Sequence, residues 1–515
     1  MNLTQSVDNI ALLPAYLAAG TAVLVLLADL VVARRGATTA VFAVGALATA
    51  AGALVVGGGG DRQTFCAGDA CSYLFTGRTG LIAALFALLT LGVLAFSVPL
   101  LRAGEVPAGE YCFLLACSMT GGVVLAGAGD LITLIVALET LTLPLYVLVG
   151  LRRRSVAGAE AAVTFFVVSV VATAVTLLGA ALLYAVTGAL HFRLLATAFA
   201  ADPDLLDIPL TSAAVALVVL GLAFKIAAVP FHAWAPATYD GAPLPVAAYL
   251  STASKLGGVV ALLAVTGIAA PVAGSVVSDG SVPLTNAVLP ASVTGPVLAA
   301  LAVLTMTVGN LVALRQTRMI RLLAWSSVAQ AGYVIAPLGA LALAGGRTPE
   351  AFETALAAAL AYTVFFVLLE LSAFGAVIAL RAGHGDGGEI GDYRGAARRR
   401  PAVGAVLALA LVGLAGLPPG LAGLFAKVTV VRSLLFGDSD WLALVVAVNA
   451  VIGLAYYVRV AATIFSPAPE AAVPGQLPTG VRVPWPVATA LAAATVVTVV
   501  IGFAPQLVLD AAAGW

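Results

Sequence analysis

Charge is what this chain lacks most. Of its 515 residues only 9% are Asp, Glu, Lys or Arg, where an average soluble domain has roughly 25%. Room for a soluble domain is missing too. Hydrophobic residues make up 62% of the chain, mean hydropathy is +1.11, and at about 20 residues per crossing the apolar runs fill nearly its whole length. These absences exclude a soluble enzyme and leave an all-α integral membrane protein. A formal net charge of zero gives no basic domain for nucleic acid. The four cysteines have no metal-ligand spacing: Cys66 and Cys71 share a loop, while Cys112 and Cys117 fall on different faces of a helix, where packing accounts for them. No cysteine cluster for iron–sulfur, dinucleotide fingerprint or histidine pair for haem occurs, so no cofactor and no metal is expected in this chain itself.

Divided at Gly, Pro and charge clusters, the apolar runs give about fourteen spans: 12–33, 38–56, 79–101, 111–128, 130–151, 158–187, 211–233, 243–269, 295–314, 319–344, 351–381, 401–434, 441–466 and 484–508. The first run lacks a basic flank, carries Asp8 and continues to about Val32, too long for a cleavable signal, so a retained helix is expected. "GGGG" at 57–60 and "GHGDGGEIGDYRG" at 383–395 read as flexible connectors, since no strand precedes them and no Gly-Lys-Ser/Thr follows. The loops 187–211 and 270–294 are long and polar-speckled but unlike a catalytic domain.

Arginine fixes the orientation. Alternate loops carry Arg34, Arg35, Arg102, Arg152–Arg154, Arg315, Arg318, Arg321, Arg381, Arg394, Arg398–Arg400 and Arg482, whereas the opposite set has only Arg62, Arg78, Arg193 and Arg347. By the positive-inside rule the first set is cytoplasmic and both termini lie outside. Cys66 and Cys71 then face the oxidising side, where a disulfide is allowed but not required.

Lysine is as scarce as histidine: only Lys225, Lys255 and Lys427 occur, each inside an apolar stretch. Arginine keeps its proton in essentially any protein setting, whereas a desolvated lysine gives its proton up readily, so a buried lysine is a cation that can be switched off. Acids at membrane depth are fewer: Glu139 in "LIVALETLTLPLYVL" and Glu370 in "FFVLLELSAFG", with Asp29 close enough to Arg34 and Arg35 to be interfacial. A charge at the bilayer centre costs at least about 2.5 to 3.5 kcal/mol, so such residues pair or face water and mark an ion pathway. One static Glu139–Lys225 bridge is the plain alternative, but three lysines spread over different helices outnumber the acids available to hold them. Lys225 and His232, seven residues apart, would share a face about 10 Å apart in an unbroken helix. Pro230 breaks it between them, and "GLPPG" at 416–420 makes a matching break before Lys427. Ser251, Thr252 and Ser254 precede Lys255 with hydroxyls suited to packing or to proton transfer. His232, beside Trp234, serves equally as a structural residue or a relay.

Four blocks, "FKIAAVPFHAWAPATYDGAPLPVAAYLSTASKLGG" (224–258), "GNLVALRQTRMIRLLAWSSVAQAGYV" (309–334), "GLAGLPPGLAGLFAKVTVV" (413–431) and "VNAVIGLAYYVRV" (448–460), resemble the antiporter-like membrane subunits of respiratory complex I, with wording most similar to subunit N of bacterial NADH-quinone oxidoreductase. The resemblance covers most of residues 110–465. It implies fourteen transmembrane helices in two inverted five-helix repeats, each with a discontinuous helix: an N-terminal segment 1–110, repeats at 111–269 and 295–466, and a C-terminal helix at 484–515. It implies that Glu139 pairs with Lys225, and that Lys255 and Lys427 continue a hydrated proton relay. It further implies a bacterial cell membrane, neighbouring antiporter-like subunits and a small K-type subunit as partners, and NADH, FMN, iron–sulfur clusters and quinone in those partners, with this chain a non-redox part of the enzyme, not catalytic alone. There are departures. Glu160 is followed by Thr164 where relatives often have lysine, Gln330 stands where many have histidine, and Glu370 replaces a neutral residue, so that water bound at Gln330 and an extra acid beside Lys427 are expected. A subunit of a multi-subunit cation/proton antiporter and a structural spacer of the membrane arm are the other readings.

Overall fold

The computed structural model describes residues 7–32, 34–152, 155–267, 291–381, 386–467 and 483–513. Arg153, Arg154, Arg482, the first part of the 383–395 connector and nearly all of the 270–294 loop lie outside them. In a bilayer every backbone N–H and C=O must find an internal partner, and the apolar runs accordingly fold as helices. In order they are α1 (Leu13–Val32), α2 (Arg35–Gly58), α3 (Gly77–Ala103), α4 (Ala108–Leu125), α5 (Leu131–Gly150), α6 (Val156–Thr187), α7 (Phe192–Ala201), α8 (Pro209–Lys225), α9 (Trp234–Gly241), α10 (Leu244–Tyr249), α11 (Lys255–Thr266), α12 (Ala291–Ala313), α13 (Met319–Ile335), α14 (Pro349–Leu380), α15 (Ala396–Arg399), α16 (Pro401–Ala415), α17 (Leu421–Phe436), α18 (Asp440–Phe465), α19 (Trp485–Phe503) and α20 (Gln506–Ala512). Side chains close several N-termini: Asp130 accepts from the Thr133 amide at 2.6 Å and Ser155 from the Gly158 amide at 3.0 Å.

Among the described residues eleven spans are long and apolar enough to cross a membrane. The other three expected spans fall on the pair α8 and α9, the helix α13, and the pair α16 and α17. The runs 211–233 and 401–434 are therefore not continuous helices. Each is broken, the first at residues 226–233 and the second at 416–420. The run 243–269 is a single span with a π turn, Leu250–Ser254, between α10 and α11, and helix α13 gives way to a short 3-10 turn at Pro337.

The most enclosed spans are Leu244–Thr266, buried essentially throughout, and α14, whereas α1 and α19 are mostly exposed. The core of the molecule is thus the contact between α10–α11 and α14, the spans that carry Lys255 and Glu370.

The helical fold carries one small addition: β1 (Arg62–Ala67) and β2 (Ala70–Phe75) form an antiparallel hairpin with Cys66 opposite Cys71, joined as a disulfide. The strands, RQTFCA and ACSYLF, are six residues each and lie in a loop outside the apolar runs, so the hairpin leaves no signature in the pattern of membrane spans. The hairpin bolts neighbouring turns together: Leu74 N–H donates to Gly127 O, Gly129 N–H to Ser72 O, both at 2.8 Å, and Arg193 donates to Asp69 O at 3.2 Å. One expectation needs correction: the connector at 386–395 is packed, not loose. Buried Arg381 binds Asp386 at 2.6 Å and Asp392 at 3.2 Å, Ile390 N–H donates to Thr317 O, and the Tyr393 hydroxyl donates to Gly387 O. The glycines at 57 and 58 likewise belong to α2.

Candidate functional site

Lys225 is the last residue of α8, where the helix stops and its unpaired carbonyls give a negative end that favours a cation. The break that follows satisfies its own backbone. Phe224 O accepts from Ala227 N–H at 2.9 Å and from the Trp234 indole at 3.2 Å, Ala223 O accepts from Ala228 N–H, and Val229 N–H donates to Thr305 of α12 at 3.0 Å. Ala227 adopts a left-handed φ of 58° to make the reversal, a conformation costing a non-glycine residue of order 1 kcal/mol. Gly258 of α11 packs directly on this break, where a Cβ would meet the Ile226 side chain at 2.8 Å.

The amine of Lys225 is nearly enclosed and lies 2.7 Å from Glu139 Oε1 of α5. It also reaches Ser169 Oγ at 2.9 Å and Thr142 Oγ1 at 3.3 Å. Thr173 donates to the same carboxylate oxygen at 2.6 Å, and the Tyr146 hydroxyl donates to Ser169 at 2.5 Å. An ammonium and a carboxylate are thus held by four neutral hydroxyls that can donate or accept, an arrangement that tolerates either charge state of the pair.

Lys255 opens α11 directly after the π turn, and the turn places Ser251 and Lys255 toward the same neighbours. Lys255 Nζ donates to the Ser327 carbonyl of α13, in a short contact. Ser251 Oγ lies 3.1 Å from Ser327 Oγ and donates to Glu370 Oε2 at 3.0 Å. Glu370 is fully buried, and its Oε1 accepts no hydrogen bond among the described residues. The expectation that Glu370 stands beside Lys427 is therefore corrected: it belongs to the Lys255 cluster, because α14 presents position 370 to the π turn.

Lys427 lies in the second half of the second broken helix but reaches back to the first half, donating to Ala415 O at 2.6 Å and Leu414 O at 3.1 Å. It caps the C-terminal end of α16, the counterpart of Lys225 at the end of α8. Its amine stands over the Tyr333 ring, 5.2 Å from the centroid. Gln330, one turn before Tyr333 on α13, donates to Leu414 O at 3.2 Å and to Tyr457 OH at 2.9 Å, and accepts from Tyr362 in a short bond. Ser326 joins Tyr457 at 2.5 Å. Both hydrogens of the Gln330 amide are thus bonded to protein groups. Beyond Tyr333 the polar line continues to Asn310, Asn449 and Tyr456.

The other candidates fall outside these clusters. His232 is half-buried in the first break with its ring 5.1 Å from Trp325, and among the described residues no hydrogen bond joins it to Lys225 or Glu139. Glu160 is exposed and Thr164 half-buried on α6. Asp29 sits at the end of α1 against Thr38 of α2, at 3.4 Å. Sequence reading passed over Ser169, Tyr146, Thr173, Tyr362 and Tyr457. In apolar helices these types are common packing residues, and only their convergence in space distinguishes them; the adjacent pair Ser326 and Ser327 in "AWSSVAQ" was the available clue.

The sequence profile of the NADH:quinone oxidoreductase/Mrp antiporter transmembrane family matches residues 128–453. The NADH-quinone oxidoreductase subunit N of Salinispora tropica is 68% identical over the full length of both chains. Subunit N 2 of Streptomyces griseus is 41% identical, covering 99% of this chain and 94% of that one. In the structure of respiratory complex I from Thermus thermophilus with bound aureothin, a chain 28% identical superposes with a TM-score of 0.75 over 96% of this chain and 98% of its own length. A chain of the Mrp complex from a Dietzia species shares the fold at a TM-score of 0.80 and 22% identity, over 98% of this chain and 96% of its own length. With the family profile covering most of its length, and with relatives similar over their full length, the chain belongs to the NADH:quinone oxidoreductase/Mrp antiporter transmembrane family, among the antiporter-like subunits N of NADH-quinone oxidoreductase in the membrane arm of complex I.

Proposed function

We propose that this chain carries protons across the bacterial cell membrane through Glu139, Lys225, Lys255, Glu370, Gln330 and Lys427, driven by quinone reduction in partner subunits. The observation that supports this most is the placement of all three lysines. Each amine is buried on a different helix, and only Lys225 has a carboxylate within ion-pair distance among the described residues. A scaffold has no use for two such cations.

The relay is electrostatic. Two unit charges about 10 Å apart at an effective dielectric near 20 interact by about 1.7 kcal/mol, slightly more than one pKa unit. Drawing Glu139 away from Lys225 removes the partner that holds the Lys225 proton, and a proton released there raises the demand for positive charge at Lys255. Glu370, linked to Lys255 through Ser251 and Ser327, answers that change by giving or taking a proton. Ser326, next to Ser327 on α13, leads to Tyr457 and Gln330, and Gln330 shares Leu414 O with Lys427.

In this proposal residues 111–269 and 295–466 are inverted repeats, each supplying one broken helix. The arginine-rich loops face the cytoplasm and both termini lie outside, with the disulfide-linked hairpin on the oxidising side. NADH, FMN, iron–sulfur clusters and quinone belong to partner subunits, because the sequence carries neither cluster spacing nor a dinucleotide fingerprint, and the small K-type subunit and a second antiporter-like subunit flank this one. Its part in the enzyme is non-redox.

Lys255→Met in the assembled complex tests the reading. Coupled proton pumping in inverted membrane vesicles is expected to fall at least tenfold while the complex assembles. Pumping at the unaltered ratio to NADH oxidation would leave a spacer.

A further inference from the structure

A long groove runs between α2, α3, α14 and α19 and encloses about 1110 Å³. Its walls are apolar, formed by residues such as Leu88 of α3, Leu368 of α14 and Val497 of α19. It extends along α3 from Arg78 to Arg102, about 36 Å at 1.5 Å per residue, enough to span the roughly 30 Å hydrocarbon core and reach the headgroup level.

One end carries two arginines, Arg35 and Arg102, and the other only Arg78. Arg35 Nη1 donates to Leu101 O at 3.1 Å and Arg102 O at 3.5 Å, which lays its guanidinium over the end of α3 beside Arg102. Among the described residues no carboxylate lies within ion-pair distance of Arg35 or Arg102. Two adjacent, exposed guanidiniums without a counter-ion at the mouth of an apolar trough call for an anion with a hydrocarbon tail. Trp485, which lines the same groove and is 71% exposed, begins α19. On the fourteen-span arrangement α3 ends and α19 begins on the same side, which puts Trp485 at the arginine end. An indole there matches the amphipathic anchor typical of the headgroup level.

We propose that this groove binds an anionic diacyl phospholipid, its phosphodiester held by Arg35 and Arg102 and its acyl chains laid along α3, α14 and α19. Basic pockets between transmembrane helices recognise such headgroups, and the guanidinium fork matches phosphate oxygens in pairs. The occupant covers Leu371, the residue after Glu370, so the lipid braces the helix that carries the central acid. The site stands independently of the proton-relay reading.

The test uses the purified whole complex, carried through native mass spectrometry and cryo-electron microscopy after exchange into phosphatidylglycerol-containing or phosphatidylcholine-only nanodiscs. The unaltered complex is expected to retain a phosphatidylglycerol molecule and to show a two-tailed density in the groove. Arg35→Gln with Arg102→Gln should weaken retention about 30-fold, at roughly fivefold per guanidinium near an anionic headgroup. Ala493→Phe, which fills the groove without touching the arginines, should displace the lipid with assembly intact. Equal retention in all three forms overturns the proposal. So does a groove in the unaltered complex filled by a helix of a neighbouring subunit, or by phosphatidylcholine with the same avidity, and this holds whether or not the arginine variant assembles.

Discussion

Lys427 and Gln330 donate to the same atom, the carbonyl oxygen of Leu414, from two different helices. That oxygen is available because α16 ends at Ala415, leaving its last carbonyls without intrahelical donors. The broken helix therefore creates the acceptor, and the lysine and the glutamine converge on it.

Substitution of Lys427 separates charge from proton release. Arginine at 427 keeps the positive charge over the α16 terminus but does not deprotonate, so Lys427→Arg should preserve assembly while lowering proton pumping at least tenfold. Lys427→Met leaves the Ala415 carbonyl without its donor while Leu414 O keeps Gln330, a loss of about 1–3 kcal/mol, and should reduce the amount of assembled complex as well. Blue-native gels together with dye-reported acidification of inverted vesicles distinguish the two. Normal pumping by the arginine form would show that Lys427 never gives up its proton.

Glu370 and Ser251 should act as a unit. Glu370→Gln removes the central acid, and Ser251→Ala removes the hydroxyl donating to it at 3.0 Å. If the serine works by linking Glu370 to Lys255, the double variant should pump no worse than Glu370→Gln alone. Groups sharing a hydrogen bond typically show coupling of about 0.5–3 kcal/mol, a two- to hundredfold departure from multiplied single effects. Strictly multiplicative losses in initial pumping rate would separate the two residues functionally.

The lysines and Glu139 were legible in the sequence because charge in an apolar run is rare and costly, so its presence carries information by itself. The two helix breaks were legible from Pro230 and from Pro418–Pro419 for the same reason: few residues stop a helix at membrane depth. Register across helices was not. Placing Glu370 with Lys427 followed from position along the spans, whereas the π turn at Leu250–Ser254 rotates α11 and brings Ser251 and Lys255 to α14 and α13. Nothing in "YLSTASKLGG" distinguishes a π turn from an α turn. The hydroxyl groups were hidden by their ordinariness, and the packed 386–395 connector by its glycines, which suggested looseness where Arg381 pins two aspartates.

The second break depends on a close approach of backbones. A Cβ at Gly423 would overlap the Gly413 carbonyl oxygen, so α17 and α16 touch there main chain to main chain. Gly423→Ala adds one methyl group with nowhere to go, and overpacking of this kind costs typically 1–3 kcal/mol. The expected result is less assembled complex at growth temperature and slower pumping per assembled complex, because Lys427 lies one turn further along α17 and moves with it. Gly391→Ala, at an open position, serves as the control and should change neither.

The hairpin offers a test of orientation that does not depend on the relay. Cys66 and Cys71 are bonded and sit five residues apart, while Cys112 is buried and Cys117 half-buried in the helices. In intact cells a membrane-impermeant maleimide should label nothing until an impermeant reductant is added from outside, and should then label two sulfurs that disappear in Cys66→Ser with Cys71→Ser. Labelling only in inverted vesicles would reverse the topology; labelling without reductant would mean free thiols. The cross-link closes so short a loop that chain entropy accounts for about 2 kcal/mol. Much of the hairpin's hold comes instead from its bonds to Gly127, Gly129 and Arg193. Reduced or serine-substituted complex should therefore still assemble and pump within about twofold of the unaltered rate, a loss of under 1 kcal/mol at the barrier, with the label reporting sidedness alone.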